Sequence, residues 1–513
     1  MAISSSSVGT LFDKDSTRIE EILSKQIDTI LPTLDPIWRD TVVSSQGVGP
    51  VSEFSKDFQV NKLFRTGMTG VIEQGYPAND FTLYGDDVNA DLGARLLRQN
   101  TVSAFPDPMD GVKPKTFRLT VPMRSMYTNL SLTLGEMQMD ATPAVVGDVV
   151  APILQGFAQN LSHTLCNYWY LSQNDSYRLG EVATVSYSSS GSTYRAVVTT
   201  TEQAYDRFFT GQRIDIIDGV VSTTRLNVAG GVQAQVYVEY VDDLKGEVGL
   251  VSTSDVLKSN FLNAADILVY ANSGALKSAG AVNGDFTGIA GVNSWLKSTG
   301  NLLGAEADAV PSTSRIDVDT HPEFKSFFKS GVGVLTEHKL RQYLRRFHVA
   351  KAKLGQTIDS LVASDGVWLS YEAQKIGQYQ IERTGNLSNL NNEGSKEGFG
   401  FTFEGRTYKG YTSNYVETGT VYGWKTSGNN WKRYVPPDYA GLQNMSEADS
   451  FVPFRFVVPA LTGLSSVKWP YQNAANALTE AVQMPGMLRM QLIPDQPAGL
   501  KLTGVTEDRV YGD

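Results

Sequence analysis

The sequence predicts an α+β chain with a strand-rich segment set into its middle. Three observations predict it: apolar stripes at helical spacing, short alternating or β-branched runs, and a composition rich in glycine, serine, threonine and asparagine. At 513 residues the chain exceeds the usual size of one domain. Its 41% hydrophobic and 10% aromatic content is ample for folded cores, while only 19% of residues are charged. That balance favours strands and loops over a helical bundle.

Residues 17–31 read as a short amphipathic helix. Thr17 and Glu20 fit a capping box, and Ile19, Ile22, Leu23, Ile27 and Ile30 recur at helical spacing. Pro32 and Pro36 are expected to end it. A helix this short is marginal alone in water and must dock on a surface, so it reads as part of an N-terminal arm. Residues 65–115 show little periodicity and many turn formers, among them Gly67, Gly75, Pro77, Gly85, Pro106, Pro108 and Pro114. A stretch so long and irregular is either disordered, as a flexible linker would be, or an extended loop with a task, and the loop is favoured. Asp86, Asp87, Arg95 and Arg98 then become partners for a neighbouring chain.

Phe117, Leu119, Val121 and Met123 alternate with Arg118, Thr120 and Arg124, the pattern of a half-buried strand. A long helix follows from Thr142 to about Leu171, with Val146, Val149, Val150, Ile153, Leu154, Phe157, Leu161, Leu165 and Tyr168 on its apolar stripe. Pro152 should kink or restart it. Residues 180–275 change texture. TYRAVVTTT, QRIDIID, AQVYVEYV, GEVGLVS and ADILVYA are short, β-branched and separated by turn residues, as in an inserted small barrel or sandwich. Beyond it, Thr336 opens a helix carrying Leu340, Tyr343, Leu344 and Phe347. A strand at 358–363, a short helix at 367–375, a polar loop at 385–398, two or three strands over 399–425 and a closing strand at 487–493 complete the pattern.

The net charge of −10 and sequence pI near 5.1 oppose a dedicated nucleic-acid binder, which needs a basic surface to neutralise phosphates. Acidity is otherwise an ordinary solubility feature, and it does not conflict with a container for DNA. Cys166 is the lone cysteine, so no intrachain disulfide forms and a cysteine-based metal site is implausible; the chain fits a reducing cytoplasm. The opening MAISSSSVGT has no signal-peptide pattern, and no run approaches the ~18 apolar residues of a membrane span.

Motifs that carry chemistry are missing: GxxxxGK[ST], a GxGxxG at a strand-to-helix turn, HExxH and GxSxG are all absent. Asp317, Asp319 and His321 alternate like ligands of a divalent ion, yet the same residues are ordinary in a polar loop before Pro322, and no metal site is expected. His163 and Cys166 sit one turn apart and read as a structural pair on a buried helix. The helix from 336 carries Lys339, Arg341, Arg345, Arg346, Lys351 and Lys353 against the single acid Glu337. Contact with acidic neighbours or plain solvation is favoured there over nucleic acid.

The order of these parts resembles the tailed-bacteriophage major capsid proteins of the Hong Kong 97 fold, which encapsulins share. The residues that carry the resemblance are the strand FRLTVPM leading to a long helix ending NYWYLSQNDS, then GDFTGIAGVNSWLKSTG with SRIDVDTHPEFKSF. LTEHKLRQYLRRF, TIDSLVASDGVWLSYEAQ and FTFEGRTYKGYTSNYVETGTVYGW follow in the family's succession, and FFTGQRIDII with ADILVYANSGA is similar to β-domains inserted in some members. No single motif is diagnostic.

The resemblance implies an α+β capsid fold divided into an N-terminal arm at 1–60, an extended loop and flanking strands at 61–125, and a peripheral domain with spine helix at 126–180. An inserted β-barrel-like domain at 181–275, a peripheral and axial core at 276–436 and a C-terminal embellishment with closing strand at 437–513 follow. It implies a non-enzymatic subunit that self-assembles into hexamers and pentamers of an icosahedral head, in a virion built in the bacterial cytoplasm. The implied partners are copies of itself, the portal, scaffolding, protease or decoration proteins, and packaged double-stranded DNA in weak nonspecific contact. No membrane and no cofactor are implied. The expected inter-subunit contacts are Ile19, Ile22, Leu23, Ile27 and Ile30 in the arm, with Phe81, Leu83, Tyr84, Asp86, Asp87, Arg95, Arg98 and Phe105 in the loop. No lysine–asparagine crosslinking pair stands out by motif, so no covalent chemistry is expected. The alternatives are an encapsulin-like compartment, another phage structural protein such as a tail sheath, or a carbohydrate-active enzyme using paired carboxylates.

Overall fold

The computed structural model describes residues 23, 26–41, 59–69, 113–122, 125–133, 150–171, 178–190, 192–200, 207–219, 226, 228–229, 232–242, 245–258, 262–271, 289–303, 315–351, 355–379, 399–403, 405–428, 430–434, 454–456, 471–472 and 481–507. The chain separates into two compact units, residues 62–119 and the remainder.

Residues 26–34 are helical, so Pro32 lies in the last turn and does not end the helix. Leu23, Ile27 and Leu31 recur every four residues and are all buried, and that burial carries the helix past the proline's missing donor. Asp35 then ends it. The Asp35 N–H donates to Leu31 O at 2.9 Å, and its carboxylate accepts the Ile37 N–H at 3.3 Å, opening the short helix α1 (Ile37–Thr41).

Strands β1 (Gln59–Thr69) and β2 (Lys113–Pro122) form a two-stranded sheet. The strand expected at 117–123 therefore begins earlier, and paired strands bound the irregular stretch. Strand β3 (Ser125–Thr133) precedes the long helix α2, described over Val150–Tyr170. Pro152 lies within the helix as described. The C-terminal half of α2 is buried through Leu161, Leu165, Cys166, Tyr168, Trp169 and Tyr170.

Strands β4 (Arg178–Ser190), β5 (Thr193–Thr200) and β6 (Arg213–Ile217) come next, then the two-residue strands β7 (Val228–Ala229) and β8 (Val232–Gln233), which pair with each other. With β9 (Val236–Asp242), β10 (Glu247–Ser252) and β11 (Ile267–Tyr270), strands β4 to β6 close a six-stranded barrel in the order β10-β5-β4-β11-β6-β9. Every pair in it is antiparallel. Alternation fills its interior with Val182, Ala196, Val198, Ile214, Ile216, Val236, Val238, Val248, Leu250 and Leu268. The strand-rich segment, whose sequence left barrel and sandwich open, forms a closed barrel.

The chain then returns to α2. Gly291 precedes the short helix α3 (Val292–Trp295), and a Cβ at Gly291 would sit 2.2 Å from the Trp169 carbonyl oxygen and 2.3 Å from that of Tyr168. Only glycine admits this approach. Asn293 Nδ2 donates to Tyr170 O at 2.6 Å, supplying one of the partners that a helix C-terminus lacks.

The core is a mixed sheet. It is built from β12 (Phe327–Lys329), β13 (Ser360–Ala363), β14 (Phe399–Phe403), β15 (Arg406–Thr412) and β16 (Val421–Trp424), with two helices between them, α4 (Glu337–Lys351) and α5 (Asp365–Tyr379). Strands β17 (Trp431–Tyr434), β18 (Phe454–Phe456), β19 (Tyr471–Gln472), β20 (Ala481–Arg489) and β21 (Gln491–Pro494) lead to β22 (Leu500–Leu502). The six-stranded order is β12-β22-β16-β13-β15-β14. Its core joins Leu340, Tyr343, Leu344 and Phe347 of α4 with Leu361, Val367, Trp368, Tyr371, Tyr408, Leu500 and Leu502. Each such side chain contributes about 1.5–3 kcal/mol by burial. The Thr336 hydroxyl accepts the Lys339 N–H at 3.2 Å, capping α4 as its sequence suggests.

The single closing strand expected at 487–493 is instead two. β20 pairs with β3 and β21 with β17, and the last strand of the core sheet, β22, lies further on.

Candidate functional site

Of the expected contact residues, Ile19, Ile22, Phe81, Leu83, Tyr84, Asp86, Asp87, Arg95, Arg98 and Phe105 lie outside the described residues. Leu23 and Ile27 are fully buried within their own chain and Ile30 is half-buried. Periodicity identifies an apolar face but not whose surface covers it. Here the chain's own core covers Leu23 and Ile27.

The segment around Asp35 is anchored by polar groups as well as by packing. Arg433 Nη1 lies 2.7 Å from Asp28 Oδ1, Lys409 Nζ lies 3.4 Å from Asp40 Oδ2, and the Tyr411 hydroxyl donates to that same oxygen. Asp35 is buried beside Tyr170 and accepts from the Ser413 hydroxyl at 3.2 Å. Burial raises its carboxyl to about 7, and the hydrogen bonds it accepts only partly offset this. Trp38 packs on Trp169 with ring centroids 5.1 Å apart, and Trp169 meets Trp431 at 4.8 Å. None of these partners was singled out by sequence, because they come from four separate stretches.

Outward-facing apolar side chains mark another part of the molecule. Val349 on α4 is 70% exposed and Phe328, on the edge strand β12, is 44% exposed. Val334 and Leu369 are also exposed. An edge strand with a free apolar side chain is a place where another chain can add.

The basic helix is less basic than its composition. Lys339 Nζ donates to the carbonyls of Val332 and Val334, each at 2.9 Å, and Arg341 pairs with Glu337. Lys351 turns inward to the carbonyls of Pro322 at 2.7 Å and Glu323 at 3.0 Å, and burial pulls its ammonium down to about 8. Burial, and then the nearby Arg406, push His348 down to about 4, so it is neutral at pH 7. Arg406 Nη1 donates to His348 Nδ1, so the neutral ring carries its proton on Nε2, which donates to the Tyr408 hydroxyl oxygen at 2.6 Å.

The residues weighed for catalysis and metal binding have structural partners. Burial, with Asp35 next to it, raises the Cys166 thiol well above its usual range, which opposes a nucleophilic role. The Tyr415 hydroxyl and His163 Nδ1 share a hydrogen bond at 2.5 Å. Asp319 accepts the Gly300 N–H at 2.9 Å and pairs with Lys325 at 3.0 Å, while Asp317 accepts the Asp319 N–H at 3.0 Å. Among the described residues no group of histidine, cysteine and carboxylate side chains is placed to hold a metal ion. No described helix is long and apolar enough to cross a membrane.

No family model matches the chain, and no curated protein sequence does. Among solved structures, the chain is similar to the capsid asymmetric unit of cyanophage A-1(L), with TM-score 0.40, 10% identity, and coverage of 92% of this chain and 93% of that one. It is also similar to the cyanophage Pam1 capsid asymmetric unit, with TM-score 0.30, 9% identity and coverage of 90% and 88%. The holo-SrpI encapsulin complex of Synechococcus elongatus PCC 7942 matches with TM-score 0.29, 8% identity and coverage of 78% and 81%. All three alignments are long in coverage and low in both identity and superposition.

Proposed function

We propose that this chain is the shell subunit of a tailed double-stranded DNA phage, a major capsid protein that assembles into hexamers and pentamers of an icosahedral head. The observation that carries the reading is the succession of elements. A long helix ends against the glycine of GIAGVNSW, a capped helix α4 leads to strand β13 and helix α5, and a hairpin of β14 and β15 follows. That is the succession on which the resemblance of the sequence rests. Apolar side chains left on the outer face of α4 and on the edge strand β12 support it, since a tiling subunit must leave surface for its neighbours. In this reading residues 1–60 are the arm, 61–125 the extended loop, 126–180 and 276–436 the peripheral and axial parts, 181–275 the inserted domain and 437–513 the embellished C-terminal region. The loop residues Phe81, Leu83, Tyr84 and Phe105 reach the next subunit, and each copy repeats the same contacts, so weak pairs sum to a rigid wall.

The test is negative-stain microscopy of the purified chain. Shells or regular capsomers support the reading. A uniform small particle that never associates overturns it.

A further inference from the structure

The outer face of the barrel breaks the alternation of its strands at one place. Along β9, Val236 and Val238 are buried in the barrel and Tyr237 points out. Strict alternation would next turn Tyr240 inward. It does not, because the register of β9 against β10 slips between Gly249 and Leu250. Val238 pairs with Leu250 and Tyr240 with Gly249, so Glu239 has no register partner on β10. This bulge brings Glu239 and Tyr240 to the outer face together. Tyr237 and Tyr240 are 37% and 39% exposed there.

The groups around these rings are fixed in place. A Cβ at Gly249 would fall 2.2 Å from the Tyr240 ring, so the ring rests over a position that any side chain would occupy. Arg195, on β5, reaches across β10 and donates from Nε to both carboxylate oxygens of Glu239, at 3.0 and 2.9 Å. Among the described residues its two Nη groups have no partner, and neither has the Tyr240 hydroxyl. The Tyr237 hydroxyl donates to Gln235 Oε1 at 2.5 Å, which steadies the second ring. The register partners of Tyr237 and Tyr240 on β10 are two residues apart, so the tyrosines leave the sheet about 7 Å from each other. The face beyond them is low, since the outer positions on β5 and β4 next to Gly249 are Val197 and Ser186.

Arg195 and Glu239 cancel in charge and the chain carries −10 overall, which does not suit a phosphate backbone. Two ring faces beside fixed donors and acceptors suit a ligand with a flat C–H face and a rim of hydroxyls. That is the pyranose ring of a sugar. We infer that the outer face of β9, β10 and β5 binds a neutral oligosaccharide. One sugar stacks its C–H face on Tyr240 and a second lies toward Tyr237. The Arg195 Nη groups donate to hydroxyls, while Glu239 and Gln235 accept from them. The site lies within one chain and does not rest on the shell reading.

The test is isothermal titration calorimetry of the purified full-length chain. The neutral probes are cellohexaose, chitohexaose and maltohexaose, set beside hexagalacturonate and a proline decapeptide. At least one neutral hexasaccharide should bind with a Kd in the millimolar range or tighter. Tyr240→Ala should weaken that binding about tenfold, while Tyr240→Phe should hold it within about threefold, because the ring carries the contact. Gly249→Ala displaces the ring and should weaken binding with Tyr240 still present. Arg195→Gln, at an exposed position, should also weaken it and keeps the result readable if a β9 or β10 variant fails to fold. Absence of binding to all three neutral probes overturns the inference. So does binding that survives Tyr240→Ala and Arg195→Gln alike, or a preference for hexagalacturonate or the proline peptide.

Discussion

The barrel and the core sheet are built on opposite plans. The barrel draws all six strands from residues 178–270, pairs them only antiparallel, and fills its interior mostly with aliphatic side chains. The core sheet draws its strands from residues 327–502, contains two parallel pairs, β12 with β22 and β13 with β15, and packs Tyr343, Phe347, Trp368, Tyr371 and Tyr408 into its core. Strand β22, the last of the described strands, lies between β12 and β16. A barrel closed from adjacent stretches can form as soon as its own segment exists. A sheet that waits for its last strand must close a long loop first, which is slow and entropically costly.

The largest expected effect sharpens that contrast. Trp169→Ala removes the side chain that meets Trp38, Trp424 and Trp431, and should cost about 3–5 kcal/mol in denaturant unfolding. Amide exchange should show the core loosened while the barrel strands keep their protection; loss of both together would break the distinction. Next come two glycines with the same 2.2 Å conflict and different neighbours. Gly291→Ala sets a methyl against the Trp169 carbonyl, which is fixed backbone, and should cost about 2–3 kcal/mol. Gly249→Ala in the barrel first meets the Tyr240 ring, the far part of a side chain that is 39% exposed, and should cost below about 1 kcal/mol.

Between those two sizes lies Asp35→Asn. The folded chain holds the Asp35 proton up to about pH 7, against 3.8 for an ordinary aspartate. The folded state thus binds the extra proton, and the stability this gives is full below about pH 4 and drains as pH rises to about 7. An uncharged amide in place of the acid should make the chain more stable than the native one by about 1–2 kcal/mol at pH 8 and should flatten the slope between pH 4 and 7. Thermal melts at a series of pH values check this; an unchanged slope would show that the carboxyl is not the group responsible.

What was legible in the sequence follows the same division. The barrel, the strand carrying Leu119 and Val121, and helix α4 with its Thr336 cap all express their periodicity locally, so pattern reading finds them. The final strand does not: Leu500–Leu502 is three residues with no alternation to notice until its neighbours are known. Pro32 misled because a helix boundary was read from one residue, while the burial of Leu23, Ile27 and Leu31 decided the outcome. The same burial shows why contact residues are hard to name from sequence. The hydrogen bonds of Asn293 with Glu417 and Lys501 were invisible for a simpler reason, since those residues lie 124 and 208 positions from it.

The account depends most on what Val349, Phe328 and the surfaces around them do between copies of the chain. Sedimentation velocity of the purified chain over a range of concentrations tests this most directly. The account predicts large, discrete species that grow at the expense of the single chain as concentration rises. One boundary at the 56.0 kDa mass of a single copy, unchanged at every concentration, would contradict it.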